Sequence, residues 1–329
     1  MFGKDWNPDG LHCYVTGGST GLGLELAKLL TQKGAHVSIV ARNQERLDAA
    51  LSQLEAARKS PGQQLHAYSF SLYTAVDSAA ALAAACSPHD GNAPDAVFTC
   101  AGAAHPMYFV EMTEEELRRG MDDAYWVQAW TIFVCFSLKF SLLPLTQHIH
   151  QAAVKQMVKQ KRKGRLALVS STVGYMSFLG WASYAPGKQA LRGLADTLQS
   201  ELMLYPGLSV HIYFPGSILT PGFEDEQRDK PKLTKEIDDP GSAITPDVAA
   251  RAFLRGVQKG EAHITSDFTA DMFRASTRGV APKHNWIKDA VLDMIAYFAA
   301  PIWRAGVDRR VRASQQEHLA HLQERGFFD

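Results

Sequence analysis

The 329 residues suffice for one large or two small domains, and the 46% apolar content supplies a sizeable core. Lysine and arginine number 34 and aspartate and glutamate 34, so the formal charge is zero and no uniform field draws the chain to nucleic acid or an anionic surface. Cys13, Cys86, Cys100 and Cys135 lack the paired spacing of metal or redox sites; they read as small core residues of a reducing compartment, and no metal is expected.

The opening MFGKDWNPDG lacks the basic start and apolar core of a secretory signal, which makes the cytosol the default compartment. LHCYVTGG is a short β-type run ending in glycines, and STGLGLELAKLLTQKG is a helical pattern that stops at Gly34. AHVSIVAR reads as a second strand, followed by a charged amphipathic helix over 44–59. LHAYSFSL and the alanine-rich stretch 74–86 repeat the alternation, and PDAVFTCAG gives a fourth strand. TEEELRRGMDDAYW starts a helix that continues into an apolar segment to about residue 145, and 146–163 reads as a polar helix with a basic end. GRLALVSS is a fifth strand, the next helix runs to about Leu204, and LSVHIYFPGSILTPG holds a sixth. Strand and helix taking turns is the signature of an α/β fold: a mostly parallel, doubly wound sheet with helices on both faces. One domain over 1–270 is expected, followed by a helical extension over 271–329.

The stretch 217–246 is charged, rich in proline and glycine, and too long for a median loop, so it reads as a substrate lid. Glu224, Asp225 and Glu226 are the carboxylates there that a substrate ammonium would meet, although an acidic run in a loop is ordinarily just solvated. Two apolar windows, 126–145 and 286–303, approach the length of a spanning helix. In the second, Lys288, Asp289 and Asp293 argue against spanning, while its aromatic residues and the following Arg304, Arg309, Arg310 and Arg312 suit a helix lying in the membrane plane. Packing in an oligomer or over the sheet is the alternative.

TGGSTGLG, comprising Thr16, Gly17, Gly18, Ser19, Thr20, Gly21, Leu22 and Gly23, lies between the first strand and the first helix, where a dinucleotide's phosphates meet helix N-terminal amides. The spacing G-x-x-x-G-x-G differs from the commoner G-x-G-x-x-G. At the end of the second strand, where an NAD enzyme presents an acid to the adenine ribose, stands Arg42, with Arg46 following; a guanidinium pairs with a 2′-phosphate, so NADPH is expected over NADH. Ala101 and Gly102, after the fourth strand, would let adenosine lie close to the backbone.

Tyr184 and Lys188 stand four apart at a helix start, and residues so spaced share a helix face. A phenol has a reference pKa near ~10 and needs help to act as an acid or base at neutral pH; an ammonium one turn away favours its ionised form. Ser171, at the end of the fifth strand, adds a donor for a substrate oxygen.

With the glycine turn, this set resembles the short-chain dehydrogenase/reductase family: Thr16, Gly17, Gly21 and Gly23 match its cofactor loop, Cys100-Ala101-Gly102 its Asn-Ala-Gly with the first residue changed, and Ser171, Tyr184 and Lys188 its catalytic residues. The resemblance implies a Rossmann-type sheet of seven parallel strands, hydride transfer from nicotinamide, cofactor contacts extending to Pro215, Gly216, Ser217 and Leu219, and a homodimer or homotetramer. One departure is Ala124, where the family places an asparagine that organises a helix kink and a proton relay. Within the family, TPGFEDEQRDKP at 220–231 resembles the fungal 3-ketodihydrosphingosine reductases. That likeness implies an NADPH-dependent reduction of a long-chain 3-keto sphingoid base at the cytosolic face of the endoplasmic reticulum membrane, with peripheral or monotopic attachment. Another hydrophobic ketone as substrate (a steroid, retinal or a 3-ketoacyl chain) and a catalytically impaired NADP-binding protein are the rival expectations. A long acyl chain needs an apolar channel, for which Met176, Phe178, Trp181 and Phe223 are the candidates, with Ser171 at its reacting end.

Overall fold

The runs HCYVT and AVFT are buried at every position, as strands covered on both faces must be. In the computed structural model, which describes residues 6–135, 163–238 and 242–328, they are β1 (His12–Thr16) and β4 (Ala96–Thr99) of a single sheet. With β2 (His36–Ala41), β3 (Leu65–Ser69), β5 (Gly164–Val169), β6 (Leu208–Phe214) and β7 (His263–Thr265), they run parallel in the order β3-β2-β1-β4-β5-β6-β7. The seven-stranded, doubly wound Rossmann-type sheet is thus observed. The chain leaves β1 for one side of the sheet and returns to its other side at β4, which opens a crevice at the carboxyl ends of these two strands.

Helices α1 (Gly21–Gln32), α2 (Gln44–Ala56), α3 (Ala75–Cys86), α4 (Glu114–Met121), α5 (Val127–Cys135) and α6 (Ala185–Glu201) follow the chain order read from the sequence. Their starts are set by local chemistry. Asn43 and Thr74 accept bonds from Arg46 N and Asp77 N, at 2.8 and 3.1 Å, and Thr113 with Glu116 forms a reciprocal capping box. Residues from α1, α2 and α9 (Pro246–Lys259), among them Leu26, Leu30, Leu54 and Phe253, fill the core on one face. Leu82, Ile132 and Leu191 of α3, α5 and α6 fill the other.

Four features differ from, or extend, the sequence reading. The third and seventh strands lie at the sheet's two ends; β7 has three residues, too short to show a period. Asp122–Trp126 winds as a π turn between α4 and α5, Val127 N bonding back to Asp122 O, so the kink forms with Ala124 in place. The lid is helical rather than irregular: Thr220 accepts from Phe223 N at 3.1 Å and Pro221 occupies the first turn of α7 (Pro221–Asp229), which is followed by α8 (Lys232–Asp238). The expected boundary at 270 falls inside α10 (Phe268–Thr277). The end of the apolar segment expected to reach 145, and nearly all of the polar helix expected at 146–163, lie outside the described residues.

The C-terminal part consists of α11 (Trp286–Ala313) and α12 (Gln315–Glu324). Leu292 and Ala296 of α11 join the sheet's core, and Val307 packs with Leu233 and Ile237 of α8. Arg274 of α10, wholly buried, bonds Asp271 at 2.6 Å and the equally buried Asp289 of α11 at 2.6 Å. Asp289, which the sequence offers as a solvated charge opposing membrane insertion, is therefore an internal anchor of this helix.

Candidate active site

The crevice at β1 and β4 begins with the glycine loop. Gly17 has φ +66°, and a Cβ there would come within 2.7 Å of Ala101 N; a Cβ on Gly23 would come within 2.3 Å of Gly17 O. Side chains would fill this cradle, so backbone amides and the start of α1 stay open to an anion, as a dinucleotide pyrophosphate requires. Thr16 ties the loop to β4: Ala101 N donates to its Oγ1 at 3.3 Å and Cys100 N to its carbonyl at 3.2 Å. Gly18, Ser19, Thr20, Gly21 and Leu22 complete the loop, and Gly102 lies beside Asp123 O.

Arg42 is exposed at the end of β2, its guanidinium 3.3 Å from Tyr73 Oη and 5.5 Å from that ring's centroid. Tyr73 Oη in turn donates to the buried Asp123 in a very short bond. Arg46 is exposed on the first turn of α2. Pro215 is buried and accepts Thr172 N and Oγ1 at 2.8 and 3.0 Å; Gly216 and Leu219 are exposed and Ser217 half-buried beside them.

Ser171 follows β5 and caps a short turn, Oγ accepting Val173 N at 3.4 Å. Tyr184 stands at the N-cap of α6, with Pro186 in the first turn where no amide partner is needed. Lys188 is buried one turn on; its Nζ donates to Val169 O at 3.0 Å and lies 5.3 Å from the Tyr184 ring centroid. Burial draws the Lys188 ammonium down to about 7, with Cys100 and Asp123 opposing the shift. The Tyr184 phenol moves up, first through burial and then through the carboxylate of Glu226. Here the structure departs from expectation: desolvation, rather than the neighbouring ammonium, sets the phenol's acidity. Burial also lifts the Cys100 thiol to about 12, so the residue that replaces the family asparagine is inert.

Trp181, Phe178 and Tyr184 pack into one cluster with Val173 and Ala185. Met176 turns to the sheet's core instead, and Phe223 is half-buried on the first turn of α7. Rings form a row away from the phenol: Tyr184 to Trp181 at 5.5 Å, Trp181 to Phe178 at 6.3 Å, and Phe178 to Trp303 of α11 at 6.3 Å.

Two residues near the site escape sequence reasoning. Gln128 is buried and bonds Val169 O at 2.7 Å, Val169 N at 3.0 Å and Thr99 Oγ1 at 2.7 Å, fixing the strand end that also receives Lys188. Asp123 is buried near Lys188, with Arg119 and His105 at 3.4 and 3.5 Å. Both are placed by the π turn, which carries no signature in a single sequence.

Comparison with known proteins agrees with this geometry. The short chain dehydrogenase family profile matches residues 12–132 and 138–231. The 3-ketodihydrosphingosine reductase of Cryptococcus neoformans var. neoformans is 38% identical over 99% of this chain and 91% of its own length. That of Aspergillus fumigatus is 34% identical over 90% and 83%. A short chain dehydrogenase/reductase from Burkholderia phymatum, solved in complex with NAD, superposes with a TM-score of 0.68 at 15% identity, covering 84% of this chain and 95% of that one. With its glycine cradle, its Tyr184 and Lys188 on one helix and its sheet order, the chain belongs to the short-chain dehydrogenase/reductase family of NAD(P)-binding oxidoreductases.

Proposed function

We propose that the protein reduces the C3 ketone of 3-ketodihydrosphingosine to dihydrosphingosine with NADPH. The observation that carries the choice of a long apolar substrate is the row of rings from Tyr184 through Trp181 and Phe178 to Trp303. It offers an apolar wall beside the phenol, and each CH₂ buried along such a wall contributes roughly 0.8 kcal/mol. The similarity to the fungal reductases supports the sphingoid substrate.

When bound, NADPH supplies the hydride from its nicotinamide. Its pyrophosphate belongs at Gly17 to Gly23 and its 2′-phosphate at Arg42, which Tyr73 holds in place. Tyr184 donates its proton to the ketone oxygen as the carbon is reduced; a phenol raised by burial remains fully protonated at neutral pH, the state that reduction needs. Ser171 hydrogen-bonds the same oxygen. Lys188, drawn down to about 7, holds the ribose and is poised to pass a proton back toward the phenolate.

Among the described residues one helix, α11, is long and apolar enough to cross a membrane, with mean hydropathy 1.3. Its exposed Trp286, Ile287, Tyr297, Phe298 and Ile302 suit attachment in the membrane plane on the cytosolic face of the endoplasmic reticulum. A homodimer is the assembly we propose. The deciding experiment is turnover of 3-ketodihydrosphingosine with NADPH and with NADH, alongside steroid, retinal and 3-ketoacyl carbonyls. Tyr184→Phe should keep NADPH binding and lose at least about 100-fold in kcat, within the range general acid catalysis supplies; full activity in that variant defeats the assignment.

A further inference from the structure

Sequence leaves three consecutive lid carboxylates equivalent, and the fold separates them. Glu224 is exposed; Asp225 has a side chain 69% exposed and pairs with Arg228 at 2.8 Å. Glu226, on the other side of α7, has a side chain only 15% exposed and lies 3.0 Å from Lys230 Nζ. The Lys230 side chain is 0% exposed, and its ammonium also bonds Asp238 of α8. One positive charge is thus divided between two carboxylates, so Glu226 keeps part of its own charge where water screens it little.

The position of this charge matters. The lid starts on the cofactor loop, where a Cβ on Gly21 would come within 2.8 Å of Thr220 Cγ2. Lys230 Nζ lies 4.7 Å from the Trp181 ring centroid, and that ring lies 5.5 Å from Tyr184. The lid triad therefore borders the reacting phenol, on which the field of Glu226 is felt as an upward pull.

A second observation is independent of charge. Trp181 is 5% exposed, and its Nε1 is buried with no hydrogen-bond partner. An indole N–H is a donor only, and a buried donor without an acceptor costs about 1–3 kcal/mol, so such groups need an explanation. An acceptor arriving with a ligand supplies one.

We propose that Glu226, with Lys230, Asp238 and the Trp181 N–H, forms a polar subsite for a 2-amino-1-hydroxy ketone: Glu226 takes the substrate ammonium, and Trp181 donates to its hydroxyl. The proposal rests on the sphingoid reading above and deepens it by naming what tells this ketone from other long-chain ketones. Selection follows from the chemistry, because a neutral ketone leaves Glu226 and the indole N–H unsatisfied.

The test compares kcat/KM, with NADPH saturating, for 3-ketodihydrosphingosine and for the same 1-hydroxy-3-ketone lacking the amine. The wild type should prefer the amine by about 10- to 100-fold, the value of one charge-assisted hydrogen bond. Glu226→Gln should lower that ratio about tenfold or more, and Asp225→Asn should leave it unchanged. NADPH titration by fluorescence checks that each variant is folded. The wild-type ratio needs no variant, so a misfolded Glu226→Gln protein does not remove the test. Equal ratios in the wild type and Glu226→Gln, or a wild type indifferent to the amine, overturn the subsite while leaving the reductase assignment standing. Refusal of both ketones by the wild type overturns the assignment and the subsite with it.

Discussion

Replacing Asp289 with alanine should destabilise the protein by about 3 kcal/mol. The carboxylate accepts Arg274 Nη2 at 2.6 Å, Arg274 Nη1 at 3.3 Å and His284 N at 3.2 Å, and is wholly buried. Removing one partner of a buried ion pair costs about 3–5 kcal/mol, because the other charge is left in a medium that cannot solvate it. Arg274 would retain Asp271 at 2.6 Å, which places the effect at the lower end. Equilibrium urea denaturation followed by circular dichroism measures it. Arg274→Met combined with Asp289→Leu should be milder than Asp289→Ala alone, since the double variant buries no unpaired charge. The effect also carries a pH signature. Burial pushes the Asp289 carboxyl up, but the bonds and charge of Arg274 outweigh it and hold the group below its ordinary value. With the folded pKa below the unfolded value near ~3.9, the stabilisation is present above that value and is lost as pH falls through the folded pKa, so wild type and variant should converge in acid. A loss under about 1 kcal/mol at neutral pH would refute the view that α11 is anchored through this pair.

Gly23→Ala would set a methyl 2.3 Å from Gly17 O, so the loop must shift; NADPH affinity should fall at least about tenfold by fluorescence titration, with little change in circular dichroism. Lys188→Met should be more stable than the wild type at neutral pH. Lys188 has a folded pKa of about 7 against an unfolded value near ~10.4, so between these the unfolded chain binds more protons and wild-type stability rises with pH. The variant's denaturation midpoint should lack that rise from pH 7 to 10, and a parallel pair of profiles would contradict the buried, depressed lysine.

Much of the catalytic layout was legible because it rests on local periodicity. β1, β4 and β5 are apolar because both faces are covered, and Tyr184 and Lys188 come together through helical spacing alone. The lid's helices were hidden because the proline and glycine that suggest a loop also suit a helix's first turn once Thr220 caps it. The roles of Asp289 and Glu226 depend on Arg274 and Lys230 being buried against them, and burial is decided by the packing of α10, α11 and α8. A charge in an apolar run looks the same whether it meets water or a partner fifteen residues away.

The π turn at Asp122–Trp126 sets the phase of the helix behind the active site. Each residue advances an α-helix by about 100°, so one surplus residue rotates everything after it by that angle. Gln128 reaches Val169 and Thr99 only from this advanced setting. Deleting a single residue between 122 and 126 would rewind the coil, swing the amide away from the strand end, and turn a neighbouring apolar side chain toward Lys188 in its place.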